Sequence, residues 1–146
     1  MQLAFFLYLI AENSLSIMEH MGSRMEINNM IKKEEFKKNY EKYFEMSKDL
    51  YLYTKERDYK NFKKVCSEIK QFDDETCKTF GVNTKLDQDI QQIRLRNAIE
   101  RQLGSDVVDW IDDKVEDLIE WLECEGWDND KQILLMDYYT RFEKGL

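Results

Sequence analysis

The sequence predicts an all-α protein, a compact bundle of five or six helices in a single domain over residues 1–146. The chain contains no proline and only five glycines, and both residue types are poorly tolerated inside helices. Its apolar residues recur at intervals of three and four, and no segment shows the strict alternation typical of a strand. A hydrophobic content of 42 % and an aromatic content of 13 % are sufficient for a buried core.

The first 24 residues receive no functional role in this prediction. The apolar run Leu3–Ile10 indicates a helix over about residues 2–20 that ends at Gly22. The run is too short to cross a bilayer, and it lacks the basic start and the cleavage site of a secretion signal. We therefore expect a buried or peripheral helix. The stretch HMGSRM is similar to a cloning remnant, which would make part of residues 1–24 non-native.

Two amphipathic segments follow, and each predicts a helix. In the first, Ile27 and Ile31 lie off the main apolar face, which predicts a break near residues 32–34. The second begins at Asp58, which can cap a helix, and ends at Gly81, which suits the position after a helix end. The apolar faces comprise Phe36, Tyr40, Tyr43, Phe44, Leu50 and Tyr51 in the first helix, and Tyr59, Phe62, Val65, Cys66, Ile69 and Phe72 in the second.

The next predicted helix starts at Asn83 or Thr84 and runs to about Leu103. Its apolar residues fall on two sides, which is typical of a helix at the centre of a bundle. One side carries Leu86, Ile90 and Ile93, and the other carries Leu95, Ile99 and Leu103.

An acidic helix over residues 105–126 and a last helix complete the predicted bundle. Gly104 separates the acidic helix from the one before it, Ser105 is expected to cap it, and Gly126 ends it. Asp128 or Asn129 is expected to cap the last helix. The apolar stripe of the last helix comprises Ile133, Leu134, Tyr138, Tyr139 and Phe142.

The acidic helix has two opposite faces when its residues are placed about 100° apart. Its predicted core face comprises Val108, Ile111, Val115, Leu118, Ile119 and Leu122. The opposite face comprises Asp106, Asp109, Asp112, Asp113, Glu116, Asp117, Glu120 and Glu123. Trp110 and Trp121 lie at the border between the two faces, and Lys114 is the only basic residue of the helix.

The acidic face differs from an ordinary solvent-exposed face. Pairs such as Asp109–Asp113 and Glu116–Glu120 place like charges four residues apart, which is mildly destabilising, whereas a stabilised face alternates Glu with Lys. We expect a helix that retains this repulsion to use it. The predicted partner-binding surface comprises Asp109, Asp112, Asp113, Glu116, Asp117, Glu120 and Glu123, flanked by Trp110 and Trp121.

A row of carboxylates can imitate the charge pattern of a nucleic-acid strand, and tryptophans are frequent anchors of interfaces. The predicted partner is therefore a protein with a basic, nucleic-acid-binding surface. In size, charge and composition the chain resembles small acidic inhibitors of phages and mobile elements, including anti-restriction and anti-CRISPR proteins that mimic DNA. The alternative is a non-catalytic helical adaptor, of the immunity, antitoxin or oligomeric assembly type, that binds through aromatic faces. The tyrosines that such an adaptor would use are nevertheless expected at the margin of the core; they are Tyr40, Tyr43, Tyr51, Tyr53 and Tyr59.

The net charge of −8 argues against direct binding to nucleic acid or to an anionic membrane, because both would repel it. No enzyme activity, cofactor or metal site is predicted. The only histidine is His20, and the sequence has no glycine-rich phosphate loop. The stretch DNDKQILLMDYY begins like a calcium loop, but it has Ile133 at the glycine position and Tyr139 at the closing glutamate position. Three cysteines form no CxxC pair, which indicates free thiols and a cytoplasmic location.

Overall fold

Five helices make up the part of the chain that the structure describes. The computed structural model describes residues 27–146, with side chains from residue 32 onward. The helices are α1 (Ile27–Lys55), α2 (Tyr59–Phe80), α3 (Gln88–Leu103), α4 (Ser105–Cys124) and α5 (Asn129–Glu143). No strand occurs between residues 27 and 146, and the helices enclose one core, so the predicted all-α bundle is confirmed. The helix predicted over residues 2–20 lies outside the described residues.

α1 is the central helix of the bundle, because it contacts each of the other four. Its apolar stripe is buried as predicted, with Tyr40, Tyr43, Phe44, Leu50 and Tyr51 all in the core. The helix runs through residues 32–34 without interruption, so the predicted break is wrong. The residues at these positions are Lys and Glu, which are strong helix formers, and they continue the helix although its apolar face changes.

Both ends of α2 confirm the prediction. Asp58 caps the first turn, since its Oδ1 accepts a hydrogen bond from the Asn61 backbone N–H at 3.1 Å. After the last turn, Gly81 adopts a left-handed conformation with φ 76°, which suits a residue without a Cβ atom. The predicted stripe between these ends includes Phe62, Val65, Cys66 and Ile69, all of them buried.

α3 begins later than the sequence predicts. Its first residue is Gln88, so the predicted start at Asn83 or Thr84 is wrong. The Asn83 side chain instead accepts a hydrogen bond from the Lys85 backbone N–H at 2.9 Å and closes a turn. Asn favours helix caps and turns for the same reason, a short side chain that bonds nearby backbone groups, and here the turn forms.

Only one of the two apolar sides of α3 is covered. Leu95 and Ile99 are buried, whereas Ile90 and Ile93 are exposed. α3 is therefore not the central helix, and that prediction is wrong. α1, α2 and α4 pack on it, and its buried residues all lie on one side, so this packing decides which apolar side becomes core.

The ends of α4 and the start of α5 follow the prediction with one correction. Ser105 is the first helical residue and Gly104 occupies the cap position, so the predicted Ser105 cap is wrong by one residue. Gly104 has φ 107°, a conformation open to glycine, and lets the chain turn from α3 directly into α4. Gly126, with φ 75°, follows α4 as predicted. Asp128 caps α5 by accepting a hydrogen bond from the Lys131 backbone N–H at 2.9 Å.

The predicted core faces of α4 and α5 are correct in part. The residues of α4 that are buried as predicted are Val108, Ile111, Val115 and Leu118. Ile119 and Ile133 are exposed, against the prediction, while Val107 and Leu135 are fully buried. The rotation of a helix about its own axis decides which residues at the two edges of its apolar stripe are buried. A small rotation during packing buries a residue at one edge and exposes a residue at the other.

Candidate partner-binding surface on helix α4

Six carboxylates of α4 form an exposed row, which we call the acidic row. Its members are Asp109, Asp113, Glu116, Asp117, Glu120 and Glu123, and all six are exposed. Their spacings of one, three and four residues place them along about 21 Å of helix axis. Within residues 32–146, none of the six side chains forms a hydrogen bond or an ion pair. The acidic row therefore presents uncompensated negative charge to solvent.

Asp112 occupies a different environment from its neighbours in the predicted surface. Its two carboxylate oxygens accept hydrogen bonds from Nη1 and Nη2 of Arg96 at 2.8 and 3.0 Å. The side chains of Arg96 and Asp112 are only 9 % and 14 % exposed. This bidentate pair holds α3 against α4. Because its carboxylate is engaged inside the bundle, Asp112 is removed from the surface available to a partner.

α1 supplies the counter-charges for the flank of α4 that faces it. The ion-paired residues rise in number along both helices in the same direction, so α1 and α4 run parallel. The acids at this flank are neutralised, and the acidic row remains outside the ion pairs. Three pairs join the flank to α1: Lys33–Asp106 at 3.2 Å, Glu41–Lys114 at 3.7 Å and Lys55–Glu125 at 3.3 Å.

Trp110 and Trp121 are half-buried at the border between the core and the acidic row. Lysines lie over both rings. The Nζ atoms of Lys37 and Lys114 are 5.9 and 5.6 Å from the centroid of Trp110, and Nζ of Lys48 is 5.6 Å from that of Trp121. Each such contact contributes about 0.5–1 kcal/mol at an exposed site. The two rings thus stabilise the contact between α1 and α4, and only part of each ring remains exposed to a partner.

The sequence prediction misses the counter-charges on α1, although a signal for them exists. Lys33, Lys37 and Lys48 are separated by four and eleven residues. Their contact residues on α4, namely Asp106, Trp110 and Trp121, are separated by the same two intervals. Parallel helices with matching intervals bring all three pairs into contact. Comparing spacings between helices, as well as within one helix, would have identified this flank.

Three further observations on the described part of the chain concern metal-ligating side chains, thiols and the length of apolar helices. Between residues 27 and 146, no three His, Cys, Asp or Glu side chains are grouped to hold a metal ion. Burial raises the pKa of the Cys66 and Cys77 thiols to about 12, which makes both poor nucleophiles at neutral pH. None of α1 to α5 combines the length and the apolar content that crossing a membrane requires.

Fold and surface together describe an all-α bundle with one exposed acidic row. Comparison with protein-family models, curated proteins and solved structures finds no match for the chain.

Proposed function

We propose that this protein binds a basic, nucleic-acid-handling protein through the acidic row and competes with nucleic acid for it. One observation carries the proposal. The two other acids of α4, Asp106 and Asp112, are paired with bases, whereas six neighbouring carboxylates stay exposed and unpaired within the described residues. Unpaired like charges on one helix are mildly destabilising, so a binding role explains their presence better than a stabilising one.

The charge density of the acidic row is close to that of one nucleic-acid strand. Six charges along about 21 Å of helix axis correspond to one charge per about 3.5–4 Å. One strand of B-DNA carries one charge per about 3.4 Å of its axis. A groove lined by lysines and arginines that follows a phosphate backbone can therefore bind the acidic row in a similar way. The binding would gain affinity from the release of condensed counterions.

The distribution of charge along the chain supports the same kind of partner. Residues 81–146 carry sixteen acids and eight bases, whereas residues 25–80 are nearly balanced. The negative field is thus concentrated on part of the molecule and would steer it towards a positive surface. Inhibition of a restriction or CRISPR effector, as by small DNA-mimicking proteins of phages and mobile elements, is the form of this function that size and charge favour.

A second candidate is a helical adaptor that assembles with other proteins through apolar surface. It is favoured by Ile133 and Met136, which are 57 % and 47 % exposed and lie three residues apart on α5. The aromatic faces expected to serve an adaptor are covered, since Tyr40, Tyr43 and Tyr51 are buried. The salt dependence of partner binding distinguishes the two candidate functions. Binding through the acidic row should weaken steeply as salt rises, whereas binding through apolar surface should change little.

Affinity capture with the full chain as bait tests the proposal. The row variant combines Asp113→Asn, Glu116→Gln, Asp117→Asn and Glu120→Gln. The matched control combines Glu34→Gln, Glu35→Gln, Asp49→Asn and Glu68→Gln, which removes the same charge from exposed acids that form no ion pair within residues 32–146. The wild type and the control should capture the same nucleic-acid-binding protein from the native host, and duplex DNA should displace it.

The affinity of the captured protein for each variant then gives the decisive comparison. The row variant should lose several kcal/mol of binding free energy, at roughly 1–2 kcal/mol per tightly paired charge. The control variant should lose much less, because its charges are not at the interface. Equal losses in the two variants would show that net charge alone acts. A captured protein that duplex DNA cannot displace would contradict the mimicry.

A further inference from the structure

A cavity of about 400 Å³ opens between α1, α2, α5 and the start of α3. This volume lies within the range of about 300–1,000 Å³ found for small-molecule sites. Leu50 and Ile69 give it a buried apolar floor, and Tyr139 and Phe142 contribute half-buried aromatic rings. These residues come from three helices, so the cavity is a feature of the packed bundle.

Asp73 lines this cavity without a counter-charge. Its side chain is partly buried and forms no hydrogen bond or ion pair within residues 32–146. Lys70, one turn earlier on α2, also lines the cavity but makes no ion pair with it. Burial, with a smaller contribution from Asp74, raises the pKa of Asp73 to about 7. A desolvated carboxylate without a partner costs free energy, which a bound cation would offset.

Gln91 provides a second acceptor in the same cavity. It is only 4 % exposed, and its Nε2 donates a long hydrogen bond of 3.5 Å to the backbone oxygen of Asn83. Its Oε1 accepts no hydrogen bond from the described residues. This oxygen is not sealed inside the core but open to solvent, so it is available to a ligand that enters the cavity.

The charges around Asp73 favour a positive ligand. Among the titratable and charged groups that line the cavity or act on Asp73, one is a base and the rest are acids, phenols or thiols. They comprise Tyr40 and Tyr43 of α1, Cys66, Lys70, Asp74 and Cys77 of α2, and Tyr139 and Glu143 of α5. An anionic ligand would be repelled here, and a neutral ligand would gain nothing from the charge of Asp73, whereas a cation would be attracted by it.

We propose that this cavity binds a small organic cation that consists of an ammonium group on a hydrocarbon body. The ammonium donates hydrogen bonds to the carboxylate of Asp73 and to Oε1 of Gln91. The hydrocarbon body packs on the apolar floor of Leu50 and Ile69. The ring of Tyr139 adds an attractive surface for the positive charge, because aromatic faces attract cations. This site is separate from the acidic row, since its lining comes from other helices.

The test uses the full chain with benzylammonium as the probe and benzyl alcohol as its uncharged counterpart. Calorimetry on the wild type should show benzylammonium binding at least about tenfold more tightly than benzyl alcohol, since a hydrogen bond to a charged group contributes about 1.5–3 kcal/mol. This comparison needs no variant. Benzyl alcohol that binds as tightly, or benzylammonium that does not bind at millimolar concentration, would overturn the proposal.

Two variants on the same helix locate the site. Asp73→Asn should weaken benzylammonium binding at least about tenfold, whereas Glu68→Gln, which removes an exposed acid of α2, should leave it unchanged. Circular dichroism checks that both variants fold. The row variant should bind benzylammonium like the wild type, which separates this site from the acidic row. Equal affinity for the wild type and Asp73→Asn would show that the cation binds elsewhere, against the proposal.

Discussion

The ion pair of Arg96 and Asp112 allows a direct test of which acids of α4 stabilise the folded protein. We expect Asp112→Ala to destabilise the protein and Asp113→Ala to leave its stability nearly unchanged. The two residues are adjacent and chemically identical, and alanine improves helix propensity equally at both positions. The difference between the two variants therefore isolates the ion pair.

The magnitude follows from the burial and geometry of the pair. Removing one partner of a fully buried ion pair costs about 3–5 kcal/mol, because the other charge stays buried without compensation. The two side chains here are 9 % and 14 % exposed, so water reaches both in part. Two charge-assisted hydrogen bonds, at 2.8 and 3.0 Å, are lost. We expect a cost of about 2–4 kcal/mol, or a fall in melting temperature of about 6–15 °C for a chain of this length.

Urea denaturation followed by circular dichroism and tryptophan fluorescence measures both free energies of unfolding. Asp113→Ala should lie within about 0.5 kcal/mol of the wild type, since its carboxylate is exposed and unpaired within residues 32–146. Combining Arg96→Met with Asp112→Leu should recover most of the loss, because no charge then remains buried. A cost below about 1 kcal/mol for Asp112→Ala, or equal costs for the two alanine variants, would refute this account of the pair.

Three further predictions concern single sites. Relative to Asp73→Asn, the free energy of unfolding of the wild type should fall as pH rises from about 4 to about 7. Burial raises the pKa of Asp73 from its usual 3.8 to about 7, so the folded state holds the proton more tightly than the unfolded state does. Urea titrations at pH 4.5 and pH 8 measure this, and a pH-independent difference would contradict it. Gly81→Ala should lower the free energy of unfolding by about 1 kcal/mol in the same titrations, because φ at this position is 76°. No atom lies within 4 Å of an added Cβ, so a much larger cost would indicate a clash that the structure lacks. In the native protein a disulfide reagent should modify Cys124 rapidly, because this thiol is exposed. It should modify Cys66 and Cys77 only on unfolding, because both thiols are buried. Three fast-reacting thiols would disagree with the packing.

The signals that the sequence carries most reliably here are those that act within a few residues. Asp58 and Asp128 cap their helices as predicted, and Gly81 and Gly126 follow helix ends as predicted. An N-terminal cap needs only a side-chain oxygen and a backbone N–H three residues later, and a left-handed position after a helix end favours a residue without a Cβ atom. These four positions can therefore be recognised without knowing the rest of the fold. The aromatic stripe of α1 is equally local, because its rings recur at intervals of three, four and seven residues and therefore share one face of the helix.

The acidic face of α4 cannot be predicted in full from the residues of that helix alone. A helical wheel places Asp112 and Asp113 on the same acidic face, yet the structure buries one against Arg96 and exposes the other. The outcome depends on how α3 and α4 dock, and a rotation of about 100° would exchange the two residues.

Contacts between distant segments decide the remaining features of this surface. Lys33, Lys37 and Lys48 lie 73 residues before their contacts on α4, and only the parallel packing of α1 and α4 brings them there. The sequence by itself determined that α4 is acidic on one side and apolar on the other. The tertiary structure decided which of its acids are paired, because pairing requires a base held by another helix within about 4 Å.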